Sequence, residues 1–453
     1  MVDFGLLQKY NVPVPRYTSY PTVPYWNEEI RPADWQHLFS SRFAEGNQKG
    51  GISLYFHLPF CESMCTFCGC NKKITTNHSV EDEYIDALLR EWNTYRSLMN
   101  EAPVIREIHL GGGTPTFFSP ANLRRLLDAV LETAVIHPAH DFSIEGHPNN
   151  TRRDHLQALF DIGFRRVSFG VQDLNPEVQR IINRIQPFEH VKRATDTARE
   201  IGYTSVNFDL VYGLPRQSAD NVKHTIEQCT TLKPERVAYY SYAHVPWTSK
   251  GQRLFDENDL PTAEEKMGLY ILGKKLFAEQ GYLDIGMDHF SLPADDLYAA
   301  FAENRLHRNF MGYTTQQSDI LLGLGVSSIS DTGNGYAQNE KTIHDYYERI
   351  NAGTLAVKKG CFLSPEDSYF KQLILDMSCK GETAFGTPYA DLIADYTLPE
   401  LRKLEDDGLV TLTATGVVAT TAGRHFIRNI CSAFDIRLQR NKASRQQVFS
   451  KGI

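Results

Sequence analysis

Four of the eight cysteines in this 453-residue chain fall within ten residues, at positions 61, 65, 68 and 70. Cys61, Cys65 and Cys68 have the spacing C-x3-C-x2-C and directly follow the run His57-Leu-Pro-Phe. Three thiolates at this spacing can each bind one iron of a cubane iron–sulfur cluster. A cluster that only carries electrons takes four cysteines, so a set of three leaves one iron open to a substrate or cofactor.

Cys70 is the candidate for a fourth ligand, of either iron or zinc. A Cys-x-Cys step is poorly suited to completing the same cube, and the rest of the sequence has no Cys/His pair with zinc-ribbon spacing. The other four cysteines are scattered, whereas a disulfide scaffold would be a short secreted chain with evenly spaced cysteines. The sequence therefore favours a cluster with an open iron over zinc or disulfides.

Six short runs rich in β-branched and aromatic residues precede or follow amphipathic segments. We predict strands at residues 52–57, 105–110, 141–146, 166–171, 205–211 and 236–242, and helices at 80–96, 121–134, 151–162 and 188–201. This alternation predicts an α/β fold with a parallel sheet, as either an open doubly wound sheet or a partial barrel. Both architectures place their sites at the carboxyl ends of the strands, where most of the unusual polar residues of this chain lie.

Three regions differ in character. Residues 1–50 lack the alternation and are predicted to form an N-terminal arm that covers the active site. They contain Pro-Arg-Tyr-Thr-Ser-Tyr-Pro-Thr at 15–22, a stretch that cannot be a helix. Residues 51–300 are the predicted catalytic barrel. Residues 301–453 are predicted to be mostly helical, and they end in a helix (398–408), a hairpin (409–413 and 417–421) and a second helix (422–434), an order that resembles a winged helix.

The residue composition and net charge argue against several classes of function. With 42% hydrophobic and 23% charged residues the chain is ordinary globular protein, and its net charge of −8 argues against a general binder of nucleic acid or membrane surfaces. The N-terminus lacks the basic start and apolar run of a signal peptide, and the apolar stretch at 320–326 is too short to cross a bilayer. We expect a soluble, cytoplasmic monomer.

The cysteine loop, with Phe67 before the third cysteine, resembles that of the radical S-adenosylmethionine (SAM) superfamily. This resemblance implies a 4Fe-4S cluster whose open iron is chelated by the amino and carboxylate groups of SAM. It also implies a full barrel or a partial (β/α)6 TIM-like barrel. The run His-Leu-Gly-Gly-Gly-Thr-Pro-Thr at 109–116 resembles the loop that binds the methionyl ammonium, although a tight turn is the alternative. Glu145 would suit the ammonium or ribose, and a salt bridge at the sheet end is its alternative.

Motifs from residue 15 to residue 431 resemble the oxygen-independent coproporphyrinogen III oxidase (dehydrogenase) family. They include the arm, Cys-Gly-Cys at 68–70, Asn-Phe-Asp-Leu-Val-Tyr-Gly-Leu-Pro at 207–215 and Leu-His-Arg-Asn-Phe at 306–310. The resemblance implies an oxidoreductase of porphyrin and heme biosynthesis that converts two propionate side chains of coproporphyrinogen III to vinyl groups. It also implies two SAM molecules in one site, a flavodoxin- or ferredoxin-like electron donor, and an electron acceptor.

The family resemblance implies that the cofactor radical carries out the reaction, so no side chain is assigned a catalytic role. The site residues that the motifs imply form two sets. The residues implied to contact the cluster-bound SAM are Tyr55, Gly112 and Glu145. The residues implied to hold the second SAM are Phe67, Gly113, Thr114, Gln172, Arg184, Asp209, Ala243 and Ile329. For Arg184 the alternative is an ion pair on a helix surface, and for Asp209 it is a buried carboxylate satisfied by backbone.

The substrate has four carboxylates, so we expect basic residues near it and name Arg16, His307 and Arg308 as candidates from the sequence rather than from the family. Two positions depart from the family pattern. His147 stands where the family commonly has Asp, and it either changes a hydrogen bond to the cofactor or caps the following turn. Met311 stands where Gln is frequent, so an apolar contact replaces an amide contact to the second SAM.

Three alternatives belong to other classes. A heme chaperone of the same superfamily has a similar cluster loop, but such proteins are typically shorter and lack the arm and the Cys-Gly-Cys ending. An anaerobic heme-modifying methyl transferase uses the same scaffold. A transcription factor is suggested only by the winged-helix-like end of the chain, and the negative net charge weighs against it.

Overall fold

The computed structural model describes residues 4–247 and 249–441, and all six predicted strands are present. They are Ile52–Leu58, Val104–Gly112, Val135–Gly146, Phe164–Gln172, Ser205–Tyr212 and Arg236–Ser241, called here the first to sixth barrel strands. The six strands are parallel and lie side by side in chain order. A doubly wound sheet would reverse its strand order at a switch point. The sequential order therefore decides for the partial barrel.

The sheet continues beyond residue 300. Ile320–Leu324 pairs in parallel with the first barrel strand, and three further strands extend that edge: Ile329–Asp331, Gly335–Asn339 and Val357–Phe362. The other edge is extended by His289–Ser291 and Leu283–Gly286, which makes twelve strands. The prediction of a mostly helical chain from residue 301 is thus wrong as far as residue 362, and the sheet crosses the predicted boundary at residue 300. Ile320–Leu324 is buried at every position, so it lacks the alternation that marks a half-exposed strand.

The four predicted helices are confirmed, and they cover the outside of the barrel. The crossover helices are Val80–Ser97, Pro120–Leu131, Arg153–Ile162, Pro176–Ile181, Phe188–Ile201, Ala219–Thr231 and Ala263–Glu279. Several begin at a capping side chain: Ser119, Ser218 and Thr262 each accept a hydrogen bond from a backbone N–H of the first turn. Pro120–Leu131 buries Leu123, Leu126, Leu127 and Val130 in the main hydrophobic core, as its apolar spacing predicts.

Within the predicted N-terminal arm, residues 15–22 are free of helix, as predicted, and they lie between the helices Phe4–Tyr10 and Pro32–Gly46. They are tied to distant parts of the chain, because Tyr17 donates a hydrogen bond from its hydroxyl to Asp435 at 3.1 Å. Farther along, Trp26 stacks on Tyr336 with ring centroids 5.1 Å apart.

The end of the described chain has the predicted helix–hairpin–helix order, with Leu398–Asp406 followed by Val410–Leu412 and Gly416–Ala419. Glu382–Ala384 adds a third strand to the hairpin. The predicted helix at 422–434 is broken into the 3-10 turn Gly423–Phe426 and the helix Ile427–Ser432, since Phe426 leaves helical geometry with φ −112° and ψ 23°. Residues 442–453 of the predicted C-terminal domain lie outside the described residues.

The remaining elements are short or connect these parts. The helices are Asp296–Ala302, Ile343–Asn351, Pro365–Lys380, Ala390–Leu392 and Ile436–Arg440, with a π-helix at Ile393–Thr397. The 3-10 turns are Val23–Tyr25, Pro115–Phe117, Lys250–Leu254 and Glu257–Asp259. The two small strand pairs are Phe60–Cys61 with Lys73–Ile74 and His307–Asn309 with Gly312–Thr314. Within the described residues, every helix is too short or too polar to cross a membrane.

Candidate active site

A cavity of about 600 Å³ opens at the carboxyl ends of the barrel strands. Its lining includes Glu145 at the end of the third strand, Gln172 at the end of the fourth, Asp209 in the fifth and Tyr240 in the sixth. This is the edge at which α/β barrels place their sites, and the sequence predicted it correctly.

All four clustered cysteines, Cys61, Cys65, Cys68 and Cys70, line this cavity. The loop that carries them is closed at its base, where strand Phe60–Cys61 pairs in parallel with Lys73–Ile74. The structure therefore brings the three thiols of the C-x3-C-x2-C motif to one wall of one cavity.

Hydrogen-bond donors face the sulfur atoms. Thr114 Oγ1 lies 3.3 Å from Cys61 Sγ, and Arg184 Nη1 lies 3.5 Å from Cys65 Sγ. Burial raises the pKa of Cys61, whereas a hydrogen bond from Cys70 lowers the pKa of Cys68 to about 6. A hydroxyl and a guanidinium aimed at sulfur stabilise thiolates, so this donor set fits an anionic iron–sulfur cluster.

The glycine loop after the second barrel strand packs directly against the cysteine loop. Gly113 and Thr114 donate backbone hydrogen bonds to Leu58 O at 2.9 Å and Phe60 O at 3.0 Å. A Cβ on Gly113 would lie 2.7 Å from the carbonyl of Pro59, and Gly112 has φ +114°. Close packing and a positive φ both require glycine here, so a tight turn accounts for part of the motif.

Glu145 faces the cavity as an ionised group. Its carboxylate accepts a hydrogen bond from the Gly112 N–H at 3.2 Å, and the other oxygen lies 3.3 Å from His109 Nε2. Burial opposes ionisation, but these contacts with His109 and Gly112 hold the pKa of Glu145 below its usual value. Tyr55 lies behind the lining, with its ring stacked on that of His109 at 5.9 Å. Among the described residues, no lysine or arginine forms an ion pair with Glu145, and its charged-group contact is with His109.

Six of the eight residues implied for a second SAM line the cavity, namely Phe67, Gly113, Thr114, Gln172, Arg184 and Asp209. Ala243 and Ile329 do not. Ala243 follows the sixth strand, and its carbonyl accepts a hydrogen bond from Gln252 at 3.3 Å. Ile329 packs beside Trp26 and Tyr336 in a separate apolar cluster.

Arg184 and Asp209 both differ from the alternatives considered for them. Arg184 is not on a helix: it donates to Gly170 O at 2.6 Å and to Cys65 Sγ, and its Nε is buried without a partner. Asp209 is satisfied by side chains rather than backbone, accepting from Ser168 at 2.8 Å and Asn207 at 2.9 Å. Burial raises the pKa of Asp209 to about 6.

Both departures from the family pattern lie in the cavity wall. His147 caps the turn after the third strand, because its Nδ1 accepts a hydrogen bond from Asn149 N at 3.1 Å. Burial and the charge of Arg184 lower the pKa of His147 to about 3, so the ring is neutral. Met311 also lines the cavity and offers it an apolar surface.

The three substrate candidates, Arg16, His307 and Arg308, are not in the lining of this cavity. His307 and Arg308 instead line a second cavity of about 390 Å³ beside the arm. Burial lowers the pKa of His307, so at neutral pH it is not a cation. Arg16 donates a hydrogen bond to Ser241 O, at the end of the sixth strand, at 3.2 Å.

Sequence reasoning missed the polar interior of the barrel. Residues lining this deeper part of the cavity include Glu107, Arg166, Arg236, Tyr240, His289 and Tyr313. Glu107 accepts hydrogen bonds from Ser53 and Thr314, both at 2.8 Å, and Arg236 forms a buried ion pair with Asp295 at 2.7 Å. Charged residues at alternating positions within predicted buried strands were the available signal.

Comparison with known proteins adds to this geometry. The model of the Radical SAM superfamily matches residues 55–229. The oxygen-independent coproporphyrinogen III oxidase of Salmonella typhimurium is 40% identical over all of this chain and 98% of its own length, and that of Synechocystis is 38% identical with the same coverage. The solved structure of the Escherichia coli coproporphyrinogen III oxidase, a radical SAM enzyme, matches with a TM-score of 0.87 and 36% identity. That match covers 96% of this chain and 99% of the other.

The chain belongs to the oxygen-independent coproporphyrinogen III oxidase family. The predicted radical SAM fold and oxidoreductase class are thereby confirmed, and membership implies a 4Fe-4S cluster and SAM. It favours an oxidase of heme biosynthesis over the chaperone, the methyl transferase and the transcription factor.

Proposed function

We propose that this enzyme converts coproporphyrinogen III to protoporphyrinogen IX by oxidative decarboxylation of two propionate side chains to vinyl groups. One observation carries the proposal: the three thiols of the C-x3-C-x2-C loop, an ionised Glu145 and the glycine loop face one cavity. They do so in a chain that matches coproporphyrinogen III oxidases over its whole length.

Cys61, Cys65 and Cys68 would hold the 4Fe-4S cluster, with Thr114 and Arg184 stabilising the sulfur charge. When bound, the cluster and SAM supply the hydrogen-atom abstraction and one-electron chemistry that side chains lack, since the β-hydrogen of a propionate is not acidic. The protein's part is to place the reactants and to exclude water and stray hydrogen donors.

The first SAM is assigned to Glu145, Gly112 and Tyr55. The ionised carboxylate of Glu145 offers an ammonium group a charged acceptor. Gly112 lines the cavity and must be glycine, because its φ is +114° and a Cβ would lie 2.8 Å from the His57 ring. Tyr55 acts from behind by packing on His109, which in turn contacts Glu145.

A second SAM in the same cavity is supported by the donors and acceptors left over. Arg184 has a buried Nε with no hydrogen-bond partner, which a carboxylate would satisfy. Asp209 and Gln172, on neighbouring strands, offer an acceptor and an amide for hydroxyl and ammonium groups. Phe67, Gly113 and Thr114 complete the lining. Ala243 and Ile329 remain predicted contacts from the family resemblance alone.

The proposal also covers the N-terminal arm, the substrate carboxylates and the electron partners. The described part of the N-terminal arm covers the site, since Arg16 reaches the end of the sixth strand. Arg16 and Arg308 serve the substrate carboxylates as cations, and the neutral His307 serves them only as a hydrogen-bonding group; none of the three lines the main cavity. A flavodoxin- or ferredoxin-like protein reduces the cluster, and a separate acceptor takes the electron released with each carbon dioxide. The predictions of a monomer and of a cytoplasmic location rest on the sequence.

The test is anaerobic reconstitution with iron and sulfide, followed by addition of a strong reductant, SAM and coproporphyrinogen III, with analysis by mass spectrometry. We expect protoporphyrinogen IX, a mono-vinyl intermediate and 5′-deoxyadenosine. Cleavage of SAM without decarboxylation would contradict the proposal in favour of a heme-modifying relative. Tight heme binding without porphyrinogen turnover would favour the chaperone.

A further inference from the structure

Three arginines from distant parts of the chain meet beside the cavity. Arg428 donates to Val14 O at 2.7 Å and to Pro15 O at 3.3 Å, and Arg308 donates to Arg16 O at 3.5 Å. The two guanidinium groups thus bond to three consecutive backbone carbonyls, Arg428 to those of Val14 and Pro15 and Arg308 to that of Arg16, which is itself an arginine. We call Arg16, Arg308 and Arg428 the arginine cluster.

The arginine cluster adjoins the wall of the main cavity. The guanidinium carbon of Arg308 lies 4.8 Å from the ring centroid of Tyr313, which lines that cavity, and Arg16 bonds to Ser241 next to the lining residue Tyr240. The cluster is also dense in charge. Burial together with repulsion from Arg16 and Arg308 lowers the pKa of Arg428 to about 10, although Asp288 opposes this shift.

Arg308 has unused hydrogen-bonding capacity. Its Nε and Nη1 are buried and have no hydrogen-bond partner. Within residues 4–247 and 249–441, neither Arg16 nor Arg308 has a carboxylate oxygen within 4.0 Å, whereas Arg166 and Arg236 inside the barrel are both paired with aspartate. A buried guanidinium left without an anion is unfavourable, and a carboxylate is the group whose shape and charge satisfy it.

We propose that Arg428 joins Arg16 and Arg308 in a site that binds a propionate carboxylate of the substrate. This inference rests on the proposed function and extends it, because Arg428 was not a substrate candidate. It also gives His307 no charge-pairing role, since that imidazole is neutral. Three cations from the arm, the His307–Asn309 strand and the Ile427–Ser432 helix would then close around one end of the tetrapyrrole.

Arg428 also anchors the arm, so the test must separate charge from structure. Coproporphyrin III, the oxidised tetracarboxylate that is not turned over, and its uncharged tetramethyl ester provide matched probes. Their binding to the reconstituted holoenzyme is measured by porphyrin fluorescence for wild type, Arg428→Gln, Arg308→Gln and Arg16→Gln. Arg424→Gln is the control, because this exposed arginine four residues away also donates to a backbone carbonyl, that of Lys380.

We expect Arg428→Gln to weaken binding of the tetracarboxylate about tenfold or more, as for the loss of a charge-assisted hydrogen bond, and to change binding of the ester less than about twofold. Arg308→Gln and Arg16→Gln should behave alike, and Arg424→Gln should bind both probes as wild type does. An equal loss for acid and ester in Arg428→Gln would overturn the proposal in favour of a structural anchor. Unchanged binding of both would overturn it outright.

The proposed function fails in a different way. If the wild type forms no vinyl product from coproporphyrinogen III, the oxidase assignment is wrong, whatever the probes show. If the wild type turns the substrate over and Arg428→Gln retains the wild-type preference for acid over ester, only the arginine cluster is refuted.

Discussion

Replacing Glu91 by Gln tests how the strand that leads into the cysteine loop is held. Glu91 is fully buried in the helix Val80–Ser97 and accepts hydrogen bonds from Gly325 N and Tyr346 OH, both at 2.7 Å. A Cβ on Gly325 would lie 2.7 Å from the carbonyl of His57, so this turn packs against the end of the first barrel strand. The Glu91 carboxylate thereby holds the Gly325 turn, which packs against the strand that leads into the cysteine loop.

The size of the effect follows from the pKa of Glu91, which burial raises from 4.5 to about 7. Below pH 4.5 the group is protonated in both the folded and the unfolded chain. As the pH rises towards 7 the unfolded chain loses the proton first, so stability falls. Between pH 5 and pH 8 this group should remove about 2.5 kcal/mol from the free energy of unfolding. Glu91→Gln, which cannot ionise, should lack that component.

The assay is urea unfolding of the anaerobic holoenzyme at pH 5, 6.5 and 8, followed by near-ultraviolet circular dichroism. The wild type should lose about 2.5 kcal/mol more stability over this range than Glu91→Gln does. Glu83→Gln, an exposed position on the same helix, should keep the wild-type dependence. Equal pH dependence in wild type and Glu91→Gln would refute this account of the carboxylate.

Three further predictions concern the site and its scaffold. Replacing Cys61, Cys65 or Cys68 by Ala should abolish bound iron, whereas Cys70→Ala should retain most of it; equal iron loss in all four variants would contradict the open-iron reasoning. Gly112→Ala should lower 5′-deoxyadenosine formation about tenfold or more, because residue 112 has φ +114° and its Cβ would lie 2.8 Å from the His57 ring. Gly268→Ala is the control and should leave 5′-deoxyadenosine formation unchanged, because a Cβ there meets nothing within 4 Å. Arg236→Met should lower the free energy of unfolding by about 3–5 kcal/mol, measured by thermal unfolding, because it leaves the buried Asp295 carboxylate without its ion-pair partner. The double variant Arg236→Met with Asp295→Leu should lose less stability. An equal loss in both variants would show that the unpaired Asp295 carboxylate is not the cause.

The barrel could be predicted because its strands and helices differ in period and alternate regularly. Apolar residues recur at helical spacing in Pro120–Leu131, and the six strands are short runs bounded by loops. Among the strands after residue 300, Ile320–Leu324 has the apolar run of a buried parallel strand, but others lack any such signal. Gly335–Asn339 has the sequence Gly-Tyr-Ala-Gln-Asn and is buried throughout, so neither alternation nor an apolar run marks it.

The site was predictable to the extent that motifs follow strand ends. Cys61, Gly112, Glu145 and Asp209 share one cavity because parallel strands bring their carboxyl ends to one edge. Contacts between distant segments left no such signal. Arg428 meets Arg308 and the arm only through the packing of the last helices against residues 14–16.

The most direct test of the central claim follows the hydrogen atom. Coproporphyrinogen III carrying deuterium on the β-carbons of its propionate groups is incubated anaerobically with the reconstituted enzyme, reductant and SAM. The 5′-deoxyadenosine is then examined by mass spectrometry. This account predicts deuterium in 5′-deoxyadenosine, with vinyl product formed alongside. Vinyl product accompanied by unlabelled 5′-deoxyadenosine would contradict it.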